Sequence, residues 1–258
     1  MFSHEGDTRS SRQNRVLAGY LAFVGGLANS SGFVIIGRFT SHVTGNAGRL
    51  AVDNAFGKFA SAFSAALLIL TFFVGAFVGS VILESRPFGH VSRAYALALA
   101  IEAALLIAFA ALVHDGVAVS ELGIDAEAAL LCCAMGLQNG LVTRLSGAVV
   151  RTTHITGVVT DLGIESARWF RHWRAALSRA INVRLVVGTV SEKPSYEKFL
   201  LLTTIAGSFL AGSFVGAIGT VRFGSSFIGV AAVFIAACSA YAFHSGSKHE
   251  DTSQASRR

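Results

Sequence analysis

The chain has 258 residues, of which 53% are hydrophobic and 14% are charged, and its formal net charge is +6. Soluble domains carry about 25% charged residues, so this composition excludes an ordinary soluble domain. The apolar residues form blocks of about 18 or more with the charged residues between them, which predicts an all-α, polytopic membrane helical bundle.

Six apolar blocks predict six transmembrane helices. In chain order they cover residues 16–36, 59–83, 94–113, 128–145, 199–221 and 223–243. Polar tails lie at residues 1–15 and 244–258, and a basic segment of residues 146–198 separates the fourth span from the fifth. Glycine and polar residues crowd the second half of the first span, which predicts a kink or an unwound turn there.

The lysine and arginine residues divide unevenly between the two sides of the membrane. If both termini lie in the cytoplasm, the outer side carries only Arg38, Arg49, Lys58 and Arg222. The remaining basic residues then face the cytoplasm, in agreement with the positive-inside rule. This distribution predicts a multi-pass protein of the cell inner (cytoplasmic) membrane with both termini cytoplasmic. Because the basic residues are explained by the orientation in the membrane, the positive net charge does not indicate a nucleic-acid partner.

A six-residue motif occurs twice, as Ser41-His42-Val43-Thr44-Gly45-Asn46 and as Thr153-His154-Ile155-Thr156-Gly157-Val158. We call these the two His-x-Thr-Gly motifs. Related strings flank both copies in the same order: Gly26-Leu27-Ala28-Asn29 and Gly136-Leu137-Gln138-Asn139 before them, and the glycine pairs Gly75/Gly79 and Gly212/Gly216 after them. This order indicates an internal duplication, with a first three-helix repeat over residues 16–125 and a second over 126–243. The glycine pairs also predict that spans two and five cross each other closely.

Because each repeat holds three spans, the second copy enters the membrane from the opposite side, and the two halves are predicted to be inverted repeats. Such repeats are typical of transporters, whose substrate sites lie at the repeat interface. The sequence therefore predicts a transporter of a small polar or anionic solute. The candidate residues of the substrate path are Asn29, His42, Thr44, Gly45, Asn46, Gln138, Asn139, His154, Thr156 and Gly157.

The chemistry of the motifs suits this role. Thr44 and Thr156 are predicted to cap helix starts, and a helix N-terminus offers N–H donors and a partial positive charge to a polar or anionic solute. His42 and His154 can hydrogen-bond a solute or carry a proton. A second interpretation assigns the same residues to helix packing and interhelical hydrogen bonds. The sequence leaves both interpretations open.

Glu102 is the one carboxylate deep inside a predicted span. Ionisable residues are costly within a membrane and commonly have a function there, so Glu102 is a candidate for proton coupling. The alternative is that Glu102 is a buried, hydrogen-bonded glutamate without such a function. The sequence has no pair of catalytic carboxylates, no Gly-x-Ser-x-Gly elbow and no metal-ligand cluster. The chain is therefore not predicted to be an enzyme, and neither a cofactor nor a metal ion is expected.

The segment from Arg168 to Arg174 alternates basic and aromatic residues. This pattern favours an interfacial helix that meets anionic lipid, and a solvated basic loop is the alternative. The surrounding segment of residues 146–198 also supports a different function, in which the protein is a membrane scaffold or sensor subunit that docks through this segment.

Several motifs in fixed order resemble those of the YoaK-like family, which are bacterial multi-pass membrane proteins of unassigned function. They are Ala18-Gly19-Tyr20, Ser31-Gly32-Phe33, Thr44-Gly45-Asn46, Gly136-Leu137-Gln138-Asn139, and Arg151-Thr152-Thr153 with Thr156-Gly157. The resemblance covers residues 14–245, nearly the whole chain. It implies a polytopic inner-membrane protein and brings no established substrate or activity.

Overall fold

The structure is a computed structural model that describes residues 10–85, 91–114, 121–145, 154–180 and 194–255. The described residues form eight α-helices and one 3-10 turn, so the all-α prediction is confirmed. The helices are α1 (Ser11–Ile36), α2 (Val43–Ala55), α3 (Phe59–Ser85), α4 (Val91–His114), α5 (Glu121–Leu145), α6 (Ile155–Ala180), α7 (Tyr196–Phe223) and α8 (Gly229–Ala255), with the 3-10 turn at Ser225–Ile228. The helices α1 and α8 extend into the two predicted polar tails, as far as Ser11 and Ala255.

Five helical stretches are long and apolar enough to cross a membrane: Ser11–Ile36, Phe59–Ser85, Val91–Val113, Tyr196–Phe223 and Ser225–His244. By helix length and composition, the chain is therefore a multi-pass membrane protein. The predicted fourth span is helical as α5, but it is not among these five within the described residues. The polar Gln138 and Asn139 lower the hydropathy of α5, and six spans remain a prediction.

The first helix runs without interruption through the segment where a kink was predicted. Ser10 and Gln13 form a capping box that starts α1, and the helix ends at Gly37, whose φ of 67° is left-handed. The predicted unwound turn is therefore wrong, and the kink stays a prediction. The small residues of this segment instead allow another helix to come close, since a Cβ atom at Gly26 would stand 2.1 Å from the carbonyl oxygen of Phe209 on α7.

Two helix pairs, α1 with α7 and α3 with α5, pack so closely that a glycine of one helix lies against the backbone of the other. In the first pair, a Cβ atom at Gly212 would stand 2.0 Å from the carbonyl oxygen of Phe23. In the second, a Cβ atom at Gly75 would stand 2.0 Å from the carbonyl oxygen of Cys133. The prediction that spans two and five, now α3 and α7, cross each other is therefore wrong. Each of them packs against the first helix of the other half, whose own small residues complete the contact.

The third pair of packed helices is α4 with α8. Ser239 on α8 donates a hydrogen bond of 2.7 Å to the carbonyl oxygen of Ala96 on α4. Buried Tyr95 and Phe109 of α4 join Ile235 of α8 in the main hydrophobic core, which also includes residues of α1 and α5. This core contains one carboxylate of α4, that of Glu102.

The two remaining helices, α2 and α6, begin at the two His-x-Thr-Gly motifs. The helix α2 has only 13 residues and none of them is buried. The helix α6 has 26 residues and contains the basic and aromatic segment from Arg168 to Arg174, which is therefore helical, as one of the two interpretations predicted. The buried carboxylate of Glu165 fastens α6 to α7, because it pairs with Lys198 at 3.3 Å as well as with Arg168 at 2.8 Å.

Candidate functional site

The first motif starts beside α1 because a side chain of that helix holds it there. The Oδ1 atom of Asn29 accepts hydrogen bonds from the hydroxyl of Ser41 at 2.9 Å and from its backbone N–H at 3.4 Å. Asn29 lies seven residues before Ile36, which is about 10 Å from the end of α1. After Gly37 the chain therefore turns back, and α2 begins alongside α1 instead of beyond its end.

The two motifs share one local geometry, in which a histidine ring covers a glycine. A Cβ atom at Gly45 would stand 2.3 Å from Nδ1 of His42, and a Cβ atom at Gly157 would stand 2.3 Å from Nδ1 of His154. In both motifs the carbonyl oxygen of the histidine accepts the N–H four residues later at 3.1 Å. Glycine is thus required at both positions if the rings are to stay where they are.

The capping role predicted for the threonines is wrong for Thr44. The N-cap of α2 is His42, and it makes no side-chain capping bond, so Thr44 is already the second helical residue. Thr156 likewise follows Ile155, the first residue of α6. Neither helix has an acidic residue in its first turn. The partial positive charge of each helix start is therefore not offset by a carboxylate of its own first turn.

A cavity of about 670 Å³ lies where the two motifs meet. Its polar lining comes from both motifs and from α5, and consists of Ser41, His42, Thr44, Asn139, Thr143, His154 and Thr156. One wall is apolar and comes from α3, with Ile69, Phe72, Phe73 and Ala76. No Asp, Glu, Lys or Arg stands among the lining residues that the structure describes. The cavity therefore offers hydroxyl, amide and imidazole groups to a polar molecule.

The structure places only half of the ten predicted path residues in the lining of the cavity. Five of them line the cavity: His42, Thr44, Asn139, His154 and Thr156. Gly45 and Gly157 lie under the histidine rings, and Asn29 holds the loop before α2. The remaining two are Asn46, which is not a lining residue, and Gln138, which is buried and donates from Nε2 to the carbonyl oxygen of Leu21 at 2.9 Å.

Sequence reasoning missed Thr143 and the apolar wall of α3. Thr143 lies near the end of α5 and belongs to no repeated string, so no local pattern distinguished it. The wall residues Phe72, Phe73 and Ala76 belong to the repeated string that ends at Gly79, but its glycines pointed to helix packing and not to a cavity. Only the packing of α3 against α5 brings them to the cavity.

A small polar network holds α2 on α3. The carboxylate of Asp53 accepts hydrogen bonds from the hydroxyl of Ser61 at 2.6 Å and from Nε of Arg49 at 3.2 Å. The Ser61 hydrogen bond, followed by the contact with Arg49, lowers the pKa of Asp53 below its ordinary value. The network ties the second half of α2 to the start of α3.

A family model matches residues 17–241, so the chain belongs to the DUF1275 family, whose description is protein of unknown function. Comparisons with curated proteins and with solved structures find no match. The predicted membership of an uncharacterised family is thereby confirmed, and the YoaK-like label remains a resemblance.

Proposed function

We propose that this protein moves a small polar or anionic solute across the membrane through the cavity where the two His-x-Thr-Gly motifs meet. The observation that carries the proposal is that both motifs, from opposite halves of the chain, line one cavity. Two helix starts without acidic residues in their first turns suit an anion or a polar group. The hydroxyls of Thr44 and Thr156 add hydrogen-bonding partners to replace part of its water shell.

The proposal includes an inverted repeat, with α1–α4 as one half and α5–α8 as the other. Reciprocal contacts support it. Gly26 approaches the carbonyl oxygen of Phe209, three residues before Gly212, and Gly136 approaches that of Phe72, three residues before Gly75. Equivalent positions of the two halves thus make equivalent contacts, as a pseudo-two-fold axis requires. Both termini would then lie in the cytoplasm, in agreement with the distribution of Lys and Arg.

Flux measurements on threonine variants test this function. Protein-containing vesicles are exposed to osmotic gradients of urea, glycerol, formate and acetate, and the change in vesicle volume is followed by light scattering. At least one solute is expected to cross faster than in protein-free vesicles. Thr44→Val and Thr156→Val should each slow that flux about tenfold or more, because a hydrogen bond to a charged or desolvated group is lost.

The matched control for these variants is Thr203→Val. Thr203 is exposed on α7 and donates to the carbonyl oxygen of Phe199 within its own helix, away from the cavity. Its flux should equal that of the unmodified protein. Protein-dependent flux that persists unchanged in both Thr44→Val and Thr156→Val would contradict the assignment of the motifs to the solute path.

The exposed face of α6 bears on the alternative function, docking to a partner protein. Phe170 and Trp173 are 55% and 63% exposed, and Arg174 lies over the ring of Phe170 at 5.9 Å. Aromatic side chains on one face of a basic amphipathic helix favour contact with anionic lipid. We therefore favour a membrane surface over a protein as the partner of this face.

Fluorescence quenching by lipid distinguishes these two partners. Both tryptophans of the chain, Trp169 and Trp173, lie on α6. In vesicles of anionic lipid with brominated acyl chains, Trp173 emission is expected to be quenched, and Trp173→Phe should remove most of the quenching. Emission from Trp173 that brominated lipid leaves unchanged would instead favour the docking function.

A further inference from the structure

Glu102 is buried in the core of the bundle without a polar partner in the described part of the chain. Its side chain is 0% exposed, and neither carboxyl oxygen has a hydrogen-bond partner among the described residues. On α4 it is flanked by buried Leu99 and Leu106, one turn to either side. The environment of this carboxyl group is therefore apolar along its own helix.

The helices packed against α4 supply few titratable groups near Glu102. They are the phenol of Tyr20 on α1 and the thiol of Cys238 on α8. The Tyr20 hydroxyl already donates to the carbonyl oxygen of Phe234. The described parts of α3, of α5 and of the 3-10 turn give Glu102 neither an ion pair nor a hydrogen bond. No positive charge in this environment therefore stabilises an ionised carboxylate.

An ionised carboxylate without partners is strongly disfavoured in such a core, which favours the neutral acid. Even a neutral carboxyl group without partners destabilises the core relative to an apolar side chain of the same size. Packing alone therefore does not explain a glutamate here. A group that gains and loses a proton does explain it.

A cavity lies between α4 and α8 near this position, and Glu102 itself is not among its lining residues. It measures about 560 Å³, and its lining includes Ala103 and Ser239, the chain neighbours of Glu102 and Cys238. Arg93 and His244 are also among its lining residues. Alanines make up much of its wall, so no bulky side chain would keep water out if the two helices separated.

We propose that Glu102 is a proton-binding site. In the conformation described here it holds a proton as a neutral carboxylic acid. When α4 and α8 separate, the proton passes to water and leaves a carboxylate, and a proton taken up from the other side restores the acid. That this cycle drives solute movement rests on the proposed transport function, whereas the proton site itself does not.

Infrared spectroscopy of the whole protein in lipid nanodiscs at pH 7 tests the protonation. The carbonyl stretching band of a protonated carboxylic acid is expected in the unmodified protein and should disappear in Glu102→Gln. The control is Glu84→Gln, since Glu84 is 66% exposed and paired with Arg144 at 2.7 Å, and it should leave the band in place. A band that Glu102→Gln leaves unchanged would overturn the proposal.

Thermal unfolding of a second variant tests whether the carboxyl group is structural. Glu102→Met keeps the length of the side chain and removes its polar atoms. The proposal expects this variant to be at least as heat-stable as the unmodified protein. A clear loss of heat stability would assign the carboxyl group a structural role and contradict the proposal.

Vesicles with a trapped pH dye test whether protons enter with the solutes of the osmotic assay, after subtraction of the acidification measured in protein-free vesicles. Unmodified protein and Glu84→Gln should acidify the lumen while solute enters, whereas Glu102→Gln should admit solute without protons. Proton entry that persists in Glu102→Gln would overturn the proton site and leave the transport function standing. If no solute moves in any variant, the transport function fails, and the infrared band still decides the proton site.

Discussion

Gly212→Ala is expected to destabilise the protein by about 3 kcal/mol or more, whereas Gly207→Ala in the same helix is expected to stabilise it slightly. A Cβ atom at Gly212 would stand 2.0 Å from the carbonyl oxygen of Phe23. Overpacking costs about 1–3 kcal/mol when side chains can give way, and here the obstacle is the backbone of α1. At Gly207 no atom lies within 4 Å of the added Cβ, and alanine is favoured over glycine in a helix by about 1 kcal/mol.

Thermal unfolding of both purified variants in one detergent measures this difference. The unfolding temperature should fall for Gly212→Ala and stay level or rise for Gly207→Ala. Gly136→Ala should behave like Gly212→Ala, because its Cβ atom would stand 2.0 Å from the carbonyl oxygen of Phe72. Equal unfolding temperatures for Gly212→Ala and Gly207→Ala would show that α1 and α7 do not pack at backbone distance.

Gly45→Ala and Gly157→Ala are expected to reduce solute flux about tenfold or more in a protein that stays folded. Each added Cβ atom would stand 2.3 Å from Nδ1 of the histidine above it, so the ring must leave its position in the cavity wall. The stability of the helices α2 and α6 should not fall, since alanine is a better helix former than glycine. The effect on flux would therefore come from the displaced rings of His42 and His154. The vesicle assay proposed for the threonine variants measures it.

The same helices provide the controls. Gly48 lies on α2 and Gly163 on α6, and an added Cβ atom at either position would meet nothing within 4 Å. Gly48→Ala and Gly163→Ala should therefore leave flux unchanged. An equal loss of flux in all four variants would point to stiffening of the helices. Unchanged flux in Gly45→Ala and Gly157→Ala would remove the two histidines from the solute path.

The helices and the two motifs could be predicted because their signals are local. Long apolar blocks mark α3, α4 and α7 wherever those helices end up in space, and a repeated string is visible without any knowledge of packing. The apolar block of α5 also predicted a helix, although Gln138 and Asn139 interrupt its hydropathy, and its crossing of the membrane stays a prediction.

The tertiary partners could not be predicted in the same way. A cluster of glycine and serine on α1 is equally compatible with an unwound turn and with a close helix neighbour, and only the position of Phe209 decides between them. The capping residue of α2 was also ambiguous, because threonine is a common N-cap and histidine is not. The loop held by Asn29 determines that the helix begins after His42.

The crossed pairing of α1 with α7 and of α3 with α5 has a consequence for how the protein is made. Gly26 emerges from the ribosome long before Phe209, so the first half enters the bilayer with its closest packing surfaces still facing lipid. Each half holds the surface that the other half needs, and neither can complete its core alone. A substitution at one of these glycines should therefore leave insertion of the individual helices intact and block their late assembly, which exposes the newly made protein to quality-control proteases.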